Sequence, residues 1–267
     1  MLSQFKQLDL ILRGEKTRLD ALRKGEITIS IRGIGLVIII LGAITGACMG
    51  TFALLREDGP VFQQMLASAV KVPALFLLTL LITLPSLYVF NALVGSRLTL
   101  PSVVRLLIAG LAVTLAMLAA WGPIVAFFSL STESYPFMVL LNVAVFAFSG
   151  LLGMMFVQQT LHRLTLTDDI EPLPPETSPQ EPESPPPVIP RPANDGPLDM
   201  PDSRVLRGHV KLVFRLWTVV FGLVGAQMGW ILRPFIGDPN RDFTWFRERD
   251  SSFFEAVFGA LVNLLGG

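Results

Sequence analysis

One cysteine, Cys48, in 267 residues rules out an intramolecular disulfide. Two histidines, His162 and His209, leave little from which to build a structural zinc or haem site. Both flank an acidic stretch and read as solvated residues at a membrane interface. Basic and acidic residues balance at 21 each, so the chain lacks the basic excess of a nucleic-acid binder. No CxxC, HExxH, P-loop, GxSxG or dinucleotide glycine fingerprint occurs. These absences point away from an enzyme, and no residue is nominated as catalytic, cofactor-binding or metal-ligating. The first 33 residues lack an apolar stretch leading to a small-residue cleavage site. The first apolar run is therefore expected to act as the targeting signal itself.

A further absence concerns the long apolar runs. They cover roughly 34–55, 72–94, 106–130, 136–161 and 212–232, and none contains Asp, Glu, Lys or His. Apolar runs of about 20 residues match the hydrocarbon thickness of a bilayer. Intramembrane carboxylates, lysines and histidines mark pumps and proton relays, so their absence disfavours ion-coupled chemistry. The expected fold is all-α: a polytopic transmembrane bundle of five spans, with short interfacial helices near each terminus. Its organisation reads as a cytoplasmic amphipathic tail (1–33), a four-helix unit (34–161), a Pro-rich acidic linker (162–211), a fifth span (212–232) and an extracytoplasmic tail (233–267).

Charge predicts the orientation. With the N-terminus inside, the segments 1–33, 94–105 and 162–211 hold 14 Lys and Arg residues, against six in 56–71, 131–135 and 233–267. That asymmetry favours a cytoplasmic N-terminus and an outside C-terminus. Arg215 lies one turn inside the last run, close enough to the cytoplasmic side to snorkel.

Local patterns refine the picture. Phe5, Leu8, Ile11 and Leu12 recur at helical spacing among charges, which fits a helix lying on the membrane or on the protein's own cytoplasmic face. Gly42, Gly46 and Gly50 stand four apart, forming a ridge without side chains that another backbone can approach. The last span echoes this with Gly222, Gly225 and Gly229. A helix of the same chain is the expected partner, and a homo-oligomer seam is the alternative. Pro73 and Pro85 in the second run, and Trp121-Gly122-Pro123 in the third, predict kinks. Runs three and four are separated only by Ser131 to Pro136 and predict an antiparallel hairpin. Residues 167–204 hold 12 of the 20 prolines and nine acidic residues, the composition of a disordered or polyproline-II tether.

In the C-terminal tail, Phe235, Phe243, Trp245 and Phe246 alternate with charges, as at a membrane–water interface. Arg233, Arg241, Arg247 and Arg249 are candidate contacts for lipid or a protein partner. Ser252 and Glu255 form a capping box that opens a helix of about 13 residues, too short to cross. Phe253, Phe254, Val257, Phe258, Leu261, Leu264 and Leu265 are expected on one apolar side of it.

This architecture resembles the Yip1-like superfamily of small membrane proteins. The likeness is strongest over 71–130: a proline-kinked span ending in Asn91-Ala92-Leu93-Val94-Gly95-Ser96-Arg97, then a span with a central Gly122-Pro123. The eukaryotic branch carries an Asp-Leu-Tyr-Gly-Pro motif before its first span, whereas here Asp58-Gly59-Pro60 follows the first span. The chain also resembles a group of bacterial inner-membrane proteins through KVPALFLLTLLITLPSLYVFNALVGSRL (71–98) and VGAQMGWILRPFIG (224–237). The resemblance implies a non-enzymatic membrane adaptor, here in a bacterial inner membrane; contact with membrane lipids and a protein partner, and no cofactor or nucleic acid, are the accompanying expectations from the residues. The expectation is an integral membrane scaffold or accessory subunit. The alternative is a small transporter or channel subunit using the kinked second and third spans.

Overall fold

A computed structural model describes residues 2–13, 31–55, 62–93, 100–167, 203–237, 242–247 and 252–266. All regular structure among these residues is helical: α1 (Leu2–Leu12), α2 (Ile31–Gly50) with a terminal 3-10 turn (Thr51–Leu55), α3 (Phe62–Leu93), α4 (Leu100–Ser131), α5 (Tyr135–Thr167), α6 (Ser203–Ile231) and α7 (Phe253–Gly266). In a hydrocarbon phase every backbone N–H and C=O must be bonded within the segment, and helices meet that condition along each apolar run. Four helices are long and apolar enough to cross a membrane: α2 with its terminal turn, α3, α4 and α5. The expected fifth span (212–232) falls on the C-terminal part of α6, which is not among those four, and the preceding turns carry Arg204, Arg207 and Lys211. The 162–211 tether, Asp58-Gly59-Pro60, Arg241 and Arg249 fall wholly or mostly outside the described residues.

Helix bounds differ from the apolar runs. The helices α3, α4 and α5 span 32, 32 and 33 residues. At 1.5 Å per residue each is about 48 Å long, well beyond the roughly 30 Å hydrocarbon core. Their polar ends continue the helices past the apolar segments. Pro73, Pro85 and Pro123 lie inside continuous helices. Hydroxyls of α3 add bonds to carbonyls about one turn back: Thr79 Oγ1 donates to Leu75 O (2.7 Å), Thr83 Oγ1 to Thr79 O (2.8 Å) and Ser86 Oγ to Thr83 O (2.7 Å). None of these acceptors is Ala69 O or Leu81 O, the carbonyls four residues before Pro73 and Pro85.

The core is arranged around α2, which packs against α3 on one side and α4 on the other, while α5 packs on α4 and α6 on α3. The α4–α5 hairpin turns through Thr132 to Ser134, and Ser134 caps α5 by accepting from Phe137 N (3.4 Å) and Met138 N (3.1 Å). The helix α1 lies against α2 and α4 with Leu8 and Ile11 buried, whereas Phe5 and Leu12 are exposed. Its apolar stripe is thus divided between the protein and the outside.

Gly42, Gly46 and Gly50 all face α3. A Cβ at Gly46 would lie 2.1 Å from Ser68 O, one at Gly50 2.5 Å from Met65 Cα, and one at Gly42 3.0 Å from Pro73 Cβ. The two backbones therefore meet along this line, and the ring of Pro73 occupies the room left by Gly42. A second close approach joins α4 to α5. There a Cβ at Gly153 would sit 1.9 Å from Thr114 Oγ1, and one at Gly110 2.3 Å from Val157 Cγ2. Sequence reasoning missed this seam, although Gly110 and Thr114 form a small residue pair four apart.

Candidate functional site

Because α6 rests on α3 and α5 rests on α4, the two outer helices diverge, and a cleft of about 1400 Å³ lies between them. Its floor is formed by α3 and α4, and α7 with residues 233–236 and 242–247 closes part of its open side. Along α5 it runs from Tyr135 to Val157, about 33 Å at 1.5 Å per residue, close to the full hydrocarbon thickness. Phe76 of α3 and Phe146 of α5 stack in its wall with ring centroids 5.9 Å apart. Near the far end Trp217 is fully buried and donates from Nε1 to Thr83 O (3.2 Å), which fixes α6 on α3.

Glycines keep the cleft open. A Cβ at Gly150 of α5 or Gly222 of α6 would meet nothing within 4 Å. Gly225 and Gly229 lean on α3 at ordinary van der Waals distance, with Thr79 Cγ2 at 3.6 Å and Leu75 Cδ1 at 3.7 Å from their ideal Cβ positions. Of the glycines expected to pack helices, Gly42, Gly46 and Gly50 thus share one seam with α3, and Gly225 and Gly229 another. The three glycines of the last span do not act alike.

One end of the cleft is polar, and here the structure corrects the sequence reading. Lys71 was expected in an outer loop ending at residue 71. It lies instead inside α3, nine residues from the start, and is 3% exposed. Its ammonium donates to Pro234 O (3.1 Å) and to Trp245 O, and it stands over the Trp245 and Phe246 rings at 5.9 and 5.2 Å. Gln64 Nε2 donates to Pro234 O (3.1 Å), and the Ser68 hydroxyl lies 2.5 Å from Phe235 O. Residues 64, 68 and 71 fall on one helical face, so α3 presents a polar strip to the carbonyls of the C-terminal segment. A buried charge is tolerable only when hydrogen-bonded, and these carbonyls supply that.

The same docking places Arg233 and Arg247 in the cleft wall, together with Asp242. The Arg233 guanidinium stacks on Trp230, its Cζ 3.6 Å from the ring centroid. Arg241 and Arg249, the other two candidates, lie outside the described residues. Deeper in the cleft, Asn142 is 5% exposed; its Nδ2 donates to Met138 O (2.8 Å), while its Oδ1 has no partner. The Thr114 hydroxyl is engaged with Gly110 O of its own helix (3.0 Å).

The capping box of α7 is formed: Ser252 N donates to Glu255 Oε2 (2.8 Å) and Glu255 N to Ser252 Oγ (3.3 Å). The seven apolar residues expected on one side fall within one arc of about 140°. Phe253 and Val257, at its edge, line the cleft together with Ala256, Gly259, Ala260 and Asn263, while Phe254, Phe258, Leu261, Leu264 and Leu265 are exposed. Among the described residues, no group of three or more His, Cys, Asp or Glu is placed to hold a metal ion. No family model, curated protein or solved structure matches the chain.

Proposed function

We propose that this chain is a non-enzymatic, five-span accessory protein of a bacterial inner membrane that houses the apolar part of a membrane lipid between α5, α6 and α7. The cleft carries this reading. Its volume of about 1400 Å³ exceeds the roughly 300–1,000 Å³ typical of small-molecule pockets, and its length matches the bilayer. Its walls are mainly hydrocarbon and aromatic, with charge confined to the Arg233 end. The bulky residues of α7, Phe254, Phe258, Leu261 and Leu265, are exposed and belong in hydrocarbon rather than in water. The second half of α6 supplies the fifth span, and the 14-to-6 charge asymmetry supports a cytoplasmic N-terminus. The five-span layout is also the basis of the Yip1-like assignment, which we retain as part of the proposal. A scaffolding role would follow if lipid occupancy sets the position of α7 for a protein partner.

The transporter or channel alternative has less support. The hydroxyls of Thr79, Thr83, Ser86 and Thr114 each donate to a carbonyl of their own helix, so these four present no free proton to a solute path.

Native mass spectrometry of the full chain, released from mild detergent, tests the reading. Wild type is expected to retain one lipid after delipidation. Gly150→Trp fills open space in the cleft and is expected to lose that lipid. Leu81→Trp, on an exposed face of α3, is expected to keep it. Equal retention by the two variants, or no lipid on wild type, would refute the reading.

A further inference from the structure

We infer that the cleft takes a single-headed lipid with a tail longer than one leaflet, of the kind that long isoprenoid alcohols represent. This rests on the lipid reading above and names the class of occupant. Length is the first constraint. Lining residues of α5 recur at every turn from Tyr135 to Val157, so the wall is one continuous helical face of about 33 Å. A single leaflet supplies half of the roughly 30 Å hydrocarbon core, about 15 Å. The tails of an ordinary phospholipid therefore cover only about half of this wall. Apolar walls without a partner lose their dispersion contacts outright, so a tail that runs the whole length is the better occupant.

The two ends of the cleft differ, and the difference sets the number of heads. Among the described residues that line it, the charged ones are Arg233, Asp242 and Arg247, all at the end marked by Trp230 and Phe235. At the other end Trp217 is fully buried against α3, and Gln158 Nε2 of α5 donates to Thr218 Oγ1 of α6 (3.5 Å). That bond joins the two helices whose divergence makes the cleft, so the cleft closes there. Two phospholipids meeting tail to tail need a headgroup site at each end. A phosphate at the closed end would be buried among apolar and neutral groups, at heavy cost. One head at the open end with one long tail meets both conditions.

Room for the tail lies where a leaflet-length chain does not reach. A Cβ at Gly150 or Gly222 would meet nothing within 4 Å, and both residues line the cleft. At about 1.5 Å per residue, Gly150 stands about 22 Å along α5 from Tyr135, deeper than one leaflet. Gly222 stands only about 8 Å along α6 from Trp217. The open space these glycines keep is thus in the half nearer Trp217.

The test uses the full chain, delipidated in detergent, and titrates undecaprenol, geranylgeraniol and phosphatidylglycerol of ordinary chain length. The lipids are compared at equal mole fraction in the micelle, with binding read by native mass spectrometry. Undecaprenol, with eleven isoprene units, is expected to bind about tenfold or more tightly than geranylgeraniol, with four, and than the phospholipid. Gly222→Leu places a branched side chain in the far half of the cleft. It is expected to weaken undecaprenol about tenfold, to the level of the short alcohol, while leaving geranylgeraniol and phosphatidylglycerol unchanged. Gly150→Leu carries the same test if Gly222→Leu does not fold. Equal affinity for the long and short alcohols, tighter binding of the phospholipid than of undecaprenol, or a length preference that survives both substitutions would overturn the inference while leaving a lipid cleft in place. Absence of any bound lipid would sink both readings.

Discussion

Gly46→Ala should be the most damaging single methyl addition in the membrane part of this protein. A Cβ at that position would lie 2.1 Å from Ser68 O, 2.5 Å from Ser68 C and 2.8 Å from Ala69 Cα, all atoms of the α3 backbone. Ordinary contact needs roughly 1 Å more, and no side chain can rotate away to supply it. The helices α2 and α3 must therefore separate, which also loosens the contacts at Gly42 and Gly50 on the same face. Overpacking of this kind costs about 1–3 kcal/mol, and a backbone clash belongs at the upper end. Against it stands the gain of about 1 kcal/mol in helix propensity from replacing glycine by alanine. The net expectation is a loss of about 2 kcal/mol. Gly35 on the same helix is the internal control, because a Cβ there meets nothing within 4 Å. Gly35→Ala should be neutral or stabilise by up to about 1 kcal/mol. Thermal midpoints of the two variants in one detergent, at matched protein concentration, read the difference directly. A Gly46→Ala midpoint equal to that of Gly35→Ala would refute the packing described here.

Three further outcomes follow from other parts of the structure. Lys71→Met should leave Trp245 O without its donor and Pro234 O with Gln64 Nε2 alone, at about 1–3 kcal/mol for the carbonyl left unpaired. It should show as faster hydrogen exchange across 233–247, and unchanged exchange there would contradict the anchoring role. Asn142→Leu removes the unpartnered Oδ1 at similar volume, so the lipid-free protein should gain about 1–2 kcal/mol. A lower thermal midpoint for that variant would show that the oxygen does have a partner. In a Cys48→Ser background, single cysteines at Phe5 and Thr244 should label from opposite sides of the membrane. Labelling of both from one side would rule out five spans.

Much of the helical framework was legible because the apolar runs are long and nearly free of charge, a pattern only a bilayer tolerates. The capping box at Ser252 and Glu255 and the turn after Ser131 were readable from spacing alone. The start of α3 was not. Gln63, Gln64, Ser68 and Lys71 lower the hydropathy of its first turns, so the apolar run begins only at residue 72. Gln64, Ser68 and Lys71 dock on carbonyls about 165 residues later in the chain, a long-range pairing that local periodicity cannot report. Gly42, Gly46 and Gly50 announced a close approach but not its partner. The cleft was illegible for a different reason: it is space bounded by α3 to α7, with walls brought together by two separate helix pairings. Gly150 carried no signal in the sequence, and Gly222 read as one of three packing glycines rather than as the wall of an open space. Arg233 and Arg247 stood out by type, but nothing in their spacing linked them to Lys71.

The central claim is that α5 and α6 stand apart around a lipid. The most direct measurement is an experimental density map of the full chain in a lipid nanodisc, held by an antibody fragment for size. The account predicts elongated density entering at the Arg233 end of the cleft, passing Phe146 and ending towards Trp217, with Gly150 and Gly222 separated by it. A map in which α5 closes directly on α6, with those glycines in contact and no density between them, would contradict it.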